Sequence, residues 1–573
     1  MLYTAQFPYN IQVRHEHSHP QLDLYFQAIT DGFMGYVIKP QINQYTNTDY
    51  PCPSSLAFHL MPDRRSPKPA NLNAFIAYGL IAQFLSHIGS HRLQVSLIKI
   101  APLSSYRRIF TPPNFYLERI NLKCHIMSSG WSSDLQWESH QDDGETAFRE
   151  MDCIEKGVWS LQKNSWRKGL RNYDIFSCIR LESQVDKREI AERALHSWQE
   201  LRLRHPTLTF DIADDRWHYR LPITAECENT FVVDNTSLSA SELLPCLKSP
   251  AKPTLFYLSR SNEFLIHTTH VHVDAIGLMH LFSEFLHYLA SPKTKDAIDT
   301  ALSCEVRELP HPTEITFQTL EKKSGSDALQ SIFDDAKESV RRNGILKIAT
   351  KKQPSPTGHL AMRSQHFSAD ETNQIISCAR KIDVSVTHFL HAALAHAIQA
   401  ESEGNRDSNL AGILAINLRD ASLSKSKRSD KTCALRLGLG LVHTSVGSFQ
   451  ETAQGFKKSY GKALSQSPID FSNKVVQMFG EEPHATQEML STIFSSFGDL
   501  SPHFSELYGD FKLCDFWAAA GPAVPCVYVS AKTIFGKLGL RLLYHTSFYD
   551  AGHIENFFTS IESVIREQLS AMV

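Results

Sequence analysis

One pattern occurs twice in this chain, and it constrains the fold more than any other feature. Residues 265–282, LIHTTHVHVDAIGLMHLF, pass from an apolar strand through Val273-Asp274-Ala275 into an apolar helix. Residues 540–558, LRLLYHTSFYDAGHIENFF, repeat that order with Tyr549-Asp550-Ala551 at the turn. In the first copy Leu278, Leu281, Phe282, Phe285 and Leu289 fall on one helical face; in the second Ile554, Phe557, Phe558, Ile561, Val564 and Ile565 do so. A strand followed by a one-faced helix must bury that face against a further layer, so two such corners suit two α/β lobes of similar topology. The length, 573 residues, agrees, because one core rarely serves so long a chain. Only the first corner has a histidine four residues before its aspartate, which implies a single active centre.

The rest of the chain divides around these corners. Residues 1–125 show little sustained periodicity and many prolines (Pro51, Pro53, Pro62, Pro67 and Pro69 among them). They are expected to be an amino-terminal extension outside the catalytic core, with an accessory layer, a poorly ordered extension and sequence foreign to the working enzyme all left open. A first lobe is expected over 126–325, a crossover rich in charge, Ser and Gly over 326–358, and a second lobe over 359–573. In the first lobe Ile190, Ala194, Leu195, Trp198 and Leu201 make a helical stripe ended by His205-Pro206, and FYLSR and EFLIHTTH read as strands. In the second, Ser368 and Glu371 have the spacing of a capping box. VSVTHFLHAALAHAI reads as a strand end followed by a helix, and GILAINLR and LGLGLVHTSV as strands. Lys425, Lys427, Arg428 and Lys431 lie between those strands; a solvated loop is the ordinary meaning of such a run, a phosphate site the less favoured one.

Composition excludes several classes. Lys plus Arg number 58 against 61 Asp plus Glu, so nothing favours nucleic acid or an anionic membrane as partner. The 11 cysteines contain no C-x-x-C, which argues for reduced thiols and against a disulfide framework or a zinc cage. MLYTAQFPYN lacks the features of a signal peptide, and AFIAYGLIAQFL at 74–85 is too short to span a bilayer. A cytoplasmic, monomeric protein is expected.

Chemistry concentrates at 268–278, TTHVHVDAIGL, which supports two readings. On an extended strand His270, His272 and Asp274 share a face and could ligate zinc. The resemblance to the metallo-β-lactamase string His-x-His-x-Asp-His stops at Ala275, where that family has a further ligand. Alternatively, His270 ends the strand as a general base and Asp274 opens the helix as a structural carboxylate. An imidazole with an ordinary pKa near 6.5 can take a proton from a hydroxyl and return it to a leaving thiolate. With 27 histidines in the chain, His-x-x-x-Asp alone is a weak signal. His272 reads better as a packed or hydrogen-bonded histidine.

Order along the chain decides for the base. A helix ending in RHPTL, then HVHVD, the Ala-rich helix, INLR at 416–419, SSFG at 495–498 and a final strand and helix follow one another. In that order they resemble the condensation-domain and BAHD acyltransferase superfamily, whose fold is chloramphenicol-acetyltransferase-like, and within it fungal trichothecene O-acetyltransferase-like proteins. The resemblance covers about residues 130–573. It implies two lobes with a tunnel at their interface, acyl-CoA (acetyl-CoA above all) as cosubstrate, and a hydroxyl of a small secondary metabolite as acceptor. It assigns His270 as base, Asp274 as structural aspartate and Arg419 as the partner of Asp274. Ser496 is a candidate donor to the oxyanion, beside a backbone N–H. There are departures: Ala275 stands where Gly often follows the aspartate, DFW at 515–517 matches DFGWG only in part, and Thr269 replaces the first histidine of the condensation-domain pair. A cyclase or dehydratase using His270 without an acyl donor, and a non-catalytic binding protein, remain alternatives.

Overall fold

A computed structural model describes six strands between Ile11 and Asn121 and most of the chain from Leu135 to Ala571. From Leu135 onward the longer stretches outside the described residues are 140–145, 168–173, 294–308, 314–329, 403–408, 420–432 and 475–489. The chain forms two compact units, Met1–Ser132 and Ser133–Val573. The strands of the first unit form one 6-stranded sheet in chain order, antiparallel except where Ser55–Pro62 pairs with Gln94–Ile100. The basic loop with Lys425, Lys427, Arg428 and Lys431 lies outside the described residues, as does much of the expected crossover.

The second unit is built on two 6-stranded sheets. The strands of these two sheets are β1 (Asp174–Ser183), β2 (Phe231–Asp234), β3 (Thr254–Leu258), β4 (Glu263–Thr269), β5 (Leu360–His366) and β6 (Asn409–Asn417). There follow β7 (Leu437–Ser445), β8 (Thr492–Asp499), β9 (Leu507–Tyr508), β10 (Phe511–Ala520), β11 (Tyr528–Ile534) and β12 (Lys537–His545). The first sheet runs β2-β3-β4-β1-β10-β9 and the second β5-β12-β11-β8-β6-β7. The main helices are α1 (Lys187–Arg204), α2 (Ala275–Ala290), α3 (Ala369–Lys381), α4 (Val386–Glu401), α5 (Phe449–Leu464) and α6 (Ala551–Ala571).

Local sequence explains most of these elements. Asp186 caps α1 by accepting from Arg188 N, and Ile190, Ala194, Trp198 and Leu201 are buried; the helix stops before Pro206, which opens a 3-10 turn. The face of α2 predicted from periodicity is fully buried against the first sheet, each such side chain contributing roughly 1.5–3 kcal/mol. Ser368 and Glu371 form the expected capping box of α3. One local expectation is corrected: Val384-Ser385 is not a strand end. Ser385 is the N-cap of α4, reached through a turn in which Asp383 has a φ of 55°. A short polar side chain before a helix competes for the first free N–H groups and stops extended pairing.

Helices α3 to α6 pack on one face of the second sheet, α1 and α2 on one face of the first. The two remaining faces meet. Phe176, Leu265 and Trp517 of the first sheet join Leu360, Tyr528 and Leu543 of the second in one apolar cluster. The lobes are not separate in sequence, however. Strands β9 and β10 lie in the stretch expected to form the second lobe, yet they complete the first sheet, with β10 paired to β1 in the register Trp517↔Cys178. The DFW stretch begins β10's link back to its own half: the buried carboxylate of Asp515 accepts from Arg541 Nη2 at 2.6 Å and from Lys532 Nζ. Among the described residues no helix is long and apolar enough to cross a membrane.

Candidate active site

Strand β4 ends at Thr269, and His270 is the first residue of the turn that leads to α2. Asp274 closes the turn as the N-cap of that helix, accepting from Gly277 N at 2.8 Å. The same carboxylate is gripped from the other half of the chain. Nη1 of Arg419, just beyond β6, lies 2.8 Å from both of its oxygens, and the backbone N of Arg436, just before β7, donates to Oδ2 at 2.6 Å. Burial alone would push the Asp274 carboxyl up, but the charge and hydrogen bonds of Arg419, with Gly277 N and Arg436 N, hold it below its ordinary value. Arg419 Nη2 continues to Ala434 O at 2.9 Å. The guanidinium approaches so closely that a Cβ at position 277 would stand 3.0 Å from Nη2 and 2.6 Å from Val273 Cγ2. Glycine is therefore needed at 277, three residues after the aspartate, and Ala275 is tolerated beside it.

His270 is buried, and that burial lowers its pKa; hydrogen bonding to the backbone of residues 270 and 273 and the charge of Asp274 oppose the shift only in part. The ring is thus neutral at neutral pH and fit to accept a proton. His272 has another task. Its Nδ1 is 2.6 Å from Thr269 Oγ1 and its Nε2 3.2 Å from Phe210 O, with the edge of Trp217 against the ring. A carbonyl can only accept, so Nε2 bears the proton and Nδ1 takes the threonine hydroxyl. Burial pushes this histidine down to about 4. His270, His272 and Asp274 therefore do not converge as a ligand set: His272 uses both ring nitrogens and Asp274 both oxygens on protein partners. Thr269, the departure from the paired-histidine motif, is what fixes His272.

Ser496 does not join this group. Along β8, Phe494 packs in the cluster under the helices, whereas Ile493 packs against the core between the sheets. Ser496 shares the parity of Phe494, and its Oγ lies 2.9 Å from Thr387 Oγ1 on α4. The strand's period of two turns it away from the inner face, so its candidacy as oxyanion donor is withdrawn. Ser495, buried and hydrogen-bonded to the Tyr528 phenol, is on the inner side.

Several site residues had no signal in the sequence. The Arg436 side chain bonds to His311 O at 2.7 Å and to Thr313 Oγ1 at 3.2 Å. Thr313 in turn donates from its N to Asp152 Oδ2 at 2.8 Å and from its hydroxyl to Leu435 O. Asp152 also accepts from Glu155 N, and Glu155 is salt-bridged to Arg149 at 2.7 Å, both buried. Asp152 and Glu155 have the spacing and reciprocal bonds of a capping box at the start of the helix Cys153–Arg167, but the segments around 152, 313 and 436 lie far apart in the chain, and only the fold assembles them behind the His270 turn.

No family model matches the chain. Two curated proteins of Monascus ruber are similar to it. One is the acetyltransferase pigO, 20% identical over 442 residues, covering 74% of this chain and 96% of that protein. The other is the O-acetyltransferase pigM, 22% identical over 396 residues, covering 65% and 76%. Among solved structures, the TRI3 trichothecene 15-O-acetyltransferase of Fusarium sporotrichioides superposes with a TM-score of 0.61 at 14% identity, over 75% of this chain and 97% of that one. The condensation domain of the monacolin K polyketide synthase MokA gives 0.51 at 12% identity, over 74% and 97%. The resemblance to the condensation-domain and BAHD-like acyltransferase superfamily, fungal trichothecene acetyltransferases included, therefore stands, and the fold is chloramphenicol-acetyltransferase-like. The chain is an enzyme of the acyltransferase kind.

Proposed function

We propose that the protein transfers an acyl group, acetyl in the first instance, from acyl-CoA to a hydroxyl of a small secondary metabolite, with His270 as general base and residues 133–573 carrying the whole reaction. One observation carries this most: a buried histidine, kept neutral by burial, stands at the end of a strand beside a carboxylate that is wholly engaged in holding the turn. Such an arrangement supplies one proton acceptor of fixed position and needs no second reactive group.

In the proposed reaction His270 Nε2 removes the proton of the acceptor hydroxyl as that oxygen attacks the thioester carbonyl carbon. The C–O bond forms and the carbonyl π electrons move to oxygen. Backbone N–H groups are the candidates left to stabilise that oxyanion. Collapse re-forms the carbonyl and breaks the C–S bond, and the thiolate takes the proton from His270. The products are an ester and free CoA thiol, and the base is regenerated. Asp274 and Arg419 act by geometry: they tie the start of α2 to the β6–β7 ends, so His270 is held from both halves of the chain.

Incubating the protein with acetyl-CoA and a panel of hydroxylated metabolites, while following free thiol, tests the proposal. Stoichiometric thiol and ester are expected. Consumption of a metabolite without thiol release would favour cyclisation or dehydration, and binding without turnover a non-catalytic role. Activity is expected to survive EDTA treatment; restoration only by zinc, at about one ion per chain, would return the metal reading. Removing residues 1–125 is expected to leave a folded, active protein.

A further inference from the structure

Three residues before the proposed base, on the strand that leads to it, lies a histidine that the proposed reaction does not use. His267 is 1% exposed and sits on the inner face of the first sheet, where it pairs in register with Phe176 of β1, the next same-face pair being Thr269↔Asp174. Its Nε2 is 3.0 Å from Asp174 Oδ2, and its ring stacks on Phe176 with centroids 4.5 Å apart. The carboxylate of Asp174, fully buried, also accepts from Gln162 Nε2 at 2.6 Å and from Ser249 Oγ at 3.1 Å. Three donors thus converge on an acceptor, so Nε2–H is the ring's donor to Asp174, and in the tautomer this fixes the lone pair lies on Nδ1. Among the described residues nothing hydrogen-bonds to Nδ1. In a side chain that is 1% exposed, a ring nitrogen without a protein partner calls for an explanation. Here that atom is held in a fixed direction by a fully bonded carboxylate.

The position suggests what completes it. Three residues along a strand is about 10 Å, so Nδ1 lies within reach of an elongated molecule whose reacting end is at His270. We propose that His267, oriented by Asp174, is a specificity-determining residue that accepts a hydrogen bond at Nδ1 from an N–H or O–H group of a bound substrate; this rests on the acyl-transfer proposal above. Two substrates offer such a group at that distance: the pantetheine arm of the acyl-CoA, through an amide N–H, and an acceptor with a second hydroxyl. Because Nδ1 meets no bond that changes in the reaction, it contributes to binding and not to the chemical step.

Two variants test this in the full chain. His267→Gln retains an N–H that reaches Asp174 as Nε2 does, and puts nothing in the place of Nδ1. The double variant His267→Phe with Asp174→Asn retains the stack on Phe176 and removes the charge that would otherwise lose a donor. KM for acetyl-CoA and for the acceptor are each measured at saturating co-substrate, with kcat, the melting temperature, and the Kd of free coenzyme A by calorimetry. The expected result in both variants is a rise of about tenfold in one KM, the size of one well-placed hydrogen bond, with kcat within about twofold. If the KM for acetyl-CoA and the Kd of coenzyme A rise together, the partner is the pantetheine amide; if only the acceptor's KM rises, it is a hydroxyl. Unchanged KM values in either folded variant overturn the proposal, as does a fall in kcat alone, which would mark His267 as structural. A wild-type protein that transfers no acyl group sinks the acyl-transfer proposal itself, and that outcome is distinct from an active wild type whose KM values the variants leave alone.

Discussion

The two strand–turn–helix corners, β4–α2 and β12–α6, look alike in sequence and differ in what the rest of the chain does to them. In the first, Asp274 is 4% exposed and bonded to Arg419, Gly277 N and Arg436 N. In the second, the Asp550 side chain is 72% exposed and meets Lys351 across 3.1 Å at the surface. The histidine of the second corner, His545, is turned inward and accepts from Ser547 N at 3.2 Å. A corner becomes a site when a second segment closes over its aspartate. The β6–β7 ends do this for the first corner; at the second, the carboxylate is left in water.

That contrast can be tested at decreasing scale. His270→Ala removes the proposed base and leaves the turn's anchors, so the rate should fall by about 10²–10⁴-fold with little change in melting temperature. A comparable loss of stability would mean that His270, like His545, chiefly packs. Asp274→Ala should lower both rate and stability, the latter by roughly 3–5 kcal/mol, since Arg419 is left as a buried charge without its partner. Arg419→Ala should match it, and the double variant should fall well short of the sum in calorimetric or denaturant unfolding. Additive losses would mean that the pair is not what holds the first corner together.

Protonation gives the next effect. The pKa of His270 is lowered, chiefly by burial, so the pH–rate profile should hold its plateau below pH 6.5 and fall only as the ring finally takes a proton. Stability should move the same way for a related reason. His272, pushed down to about 4, and His391, pushed down to about 3, both mainly by burial, are neutral when folded. The unfolded chain protonates them near 6.5 and so binds more protons below that value. Their contribution is complete above pH 6.5 and is lost as pH falls from there towards 4 and then 3. A melting temperature flat from pH 7 to 4 would contradict this. Asp550→Ala is the smallest test: an exposed pair is worth about 0–1 kcal/mol, and the rate should not change. A loss of activity there would break the contrast between the corners.

Much of the site was legible because its residues sit where local rules operate. The strand end at Thr269, the N-cap at Asp274 and the buried face of α2 all follow from alternation, capping and a 3.6-residue period, and these need only near neighbours in the chain. The pairing of Asp274 with Arg419 came from resemblance to a family, and the geometry agrees. Ser496 failed for a definite reason: in SSFG the choice between adjacent serines depends on which parity of β8 faces inward, and that is set by the helices packed on it.

By itself, then, the amino-acid sequence determined the two corners, the helical faces that had to be buried, the one corner with a His-x-x-x-Asp and a composition without any pull towards nucleic acid. Only the tertiary structure decided that β10 leaves its own half to pair with β1, that Arg436 and Thr313 stand behind the His270 turn, and that Asp174 orients His267. The physical reason is one of range. Capping and periodicity act over a few residues, whereas strand order and these buried polar contacts join segments 93 residues apart and more, chosen by which arrangement leaves the fewest apolar faces and charges without a partner.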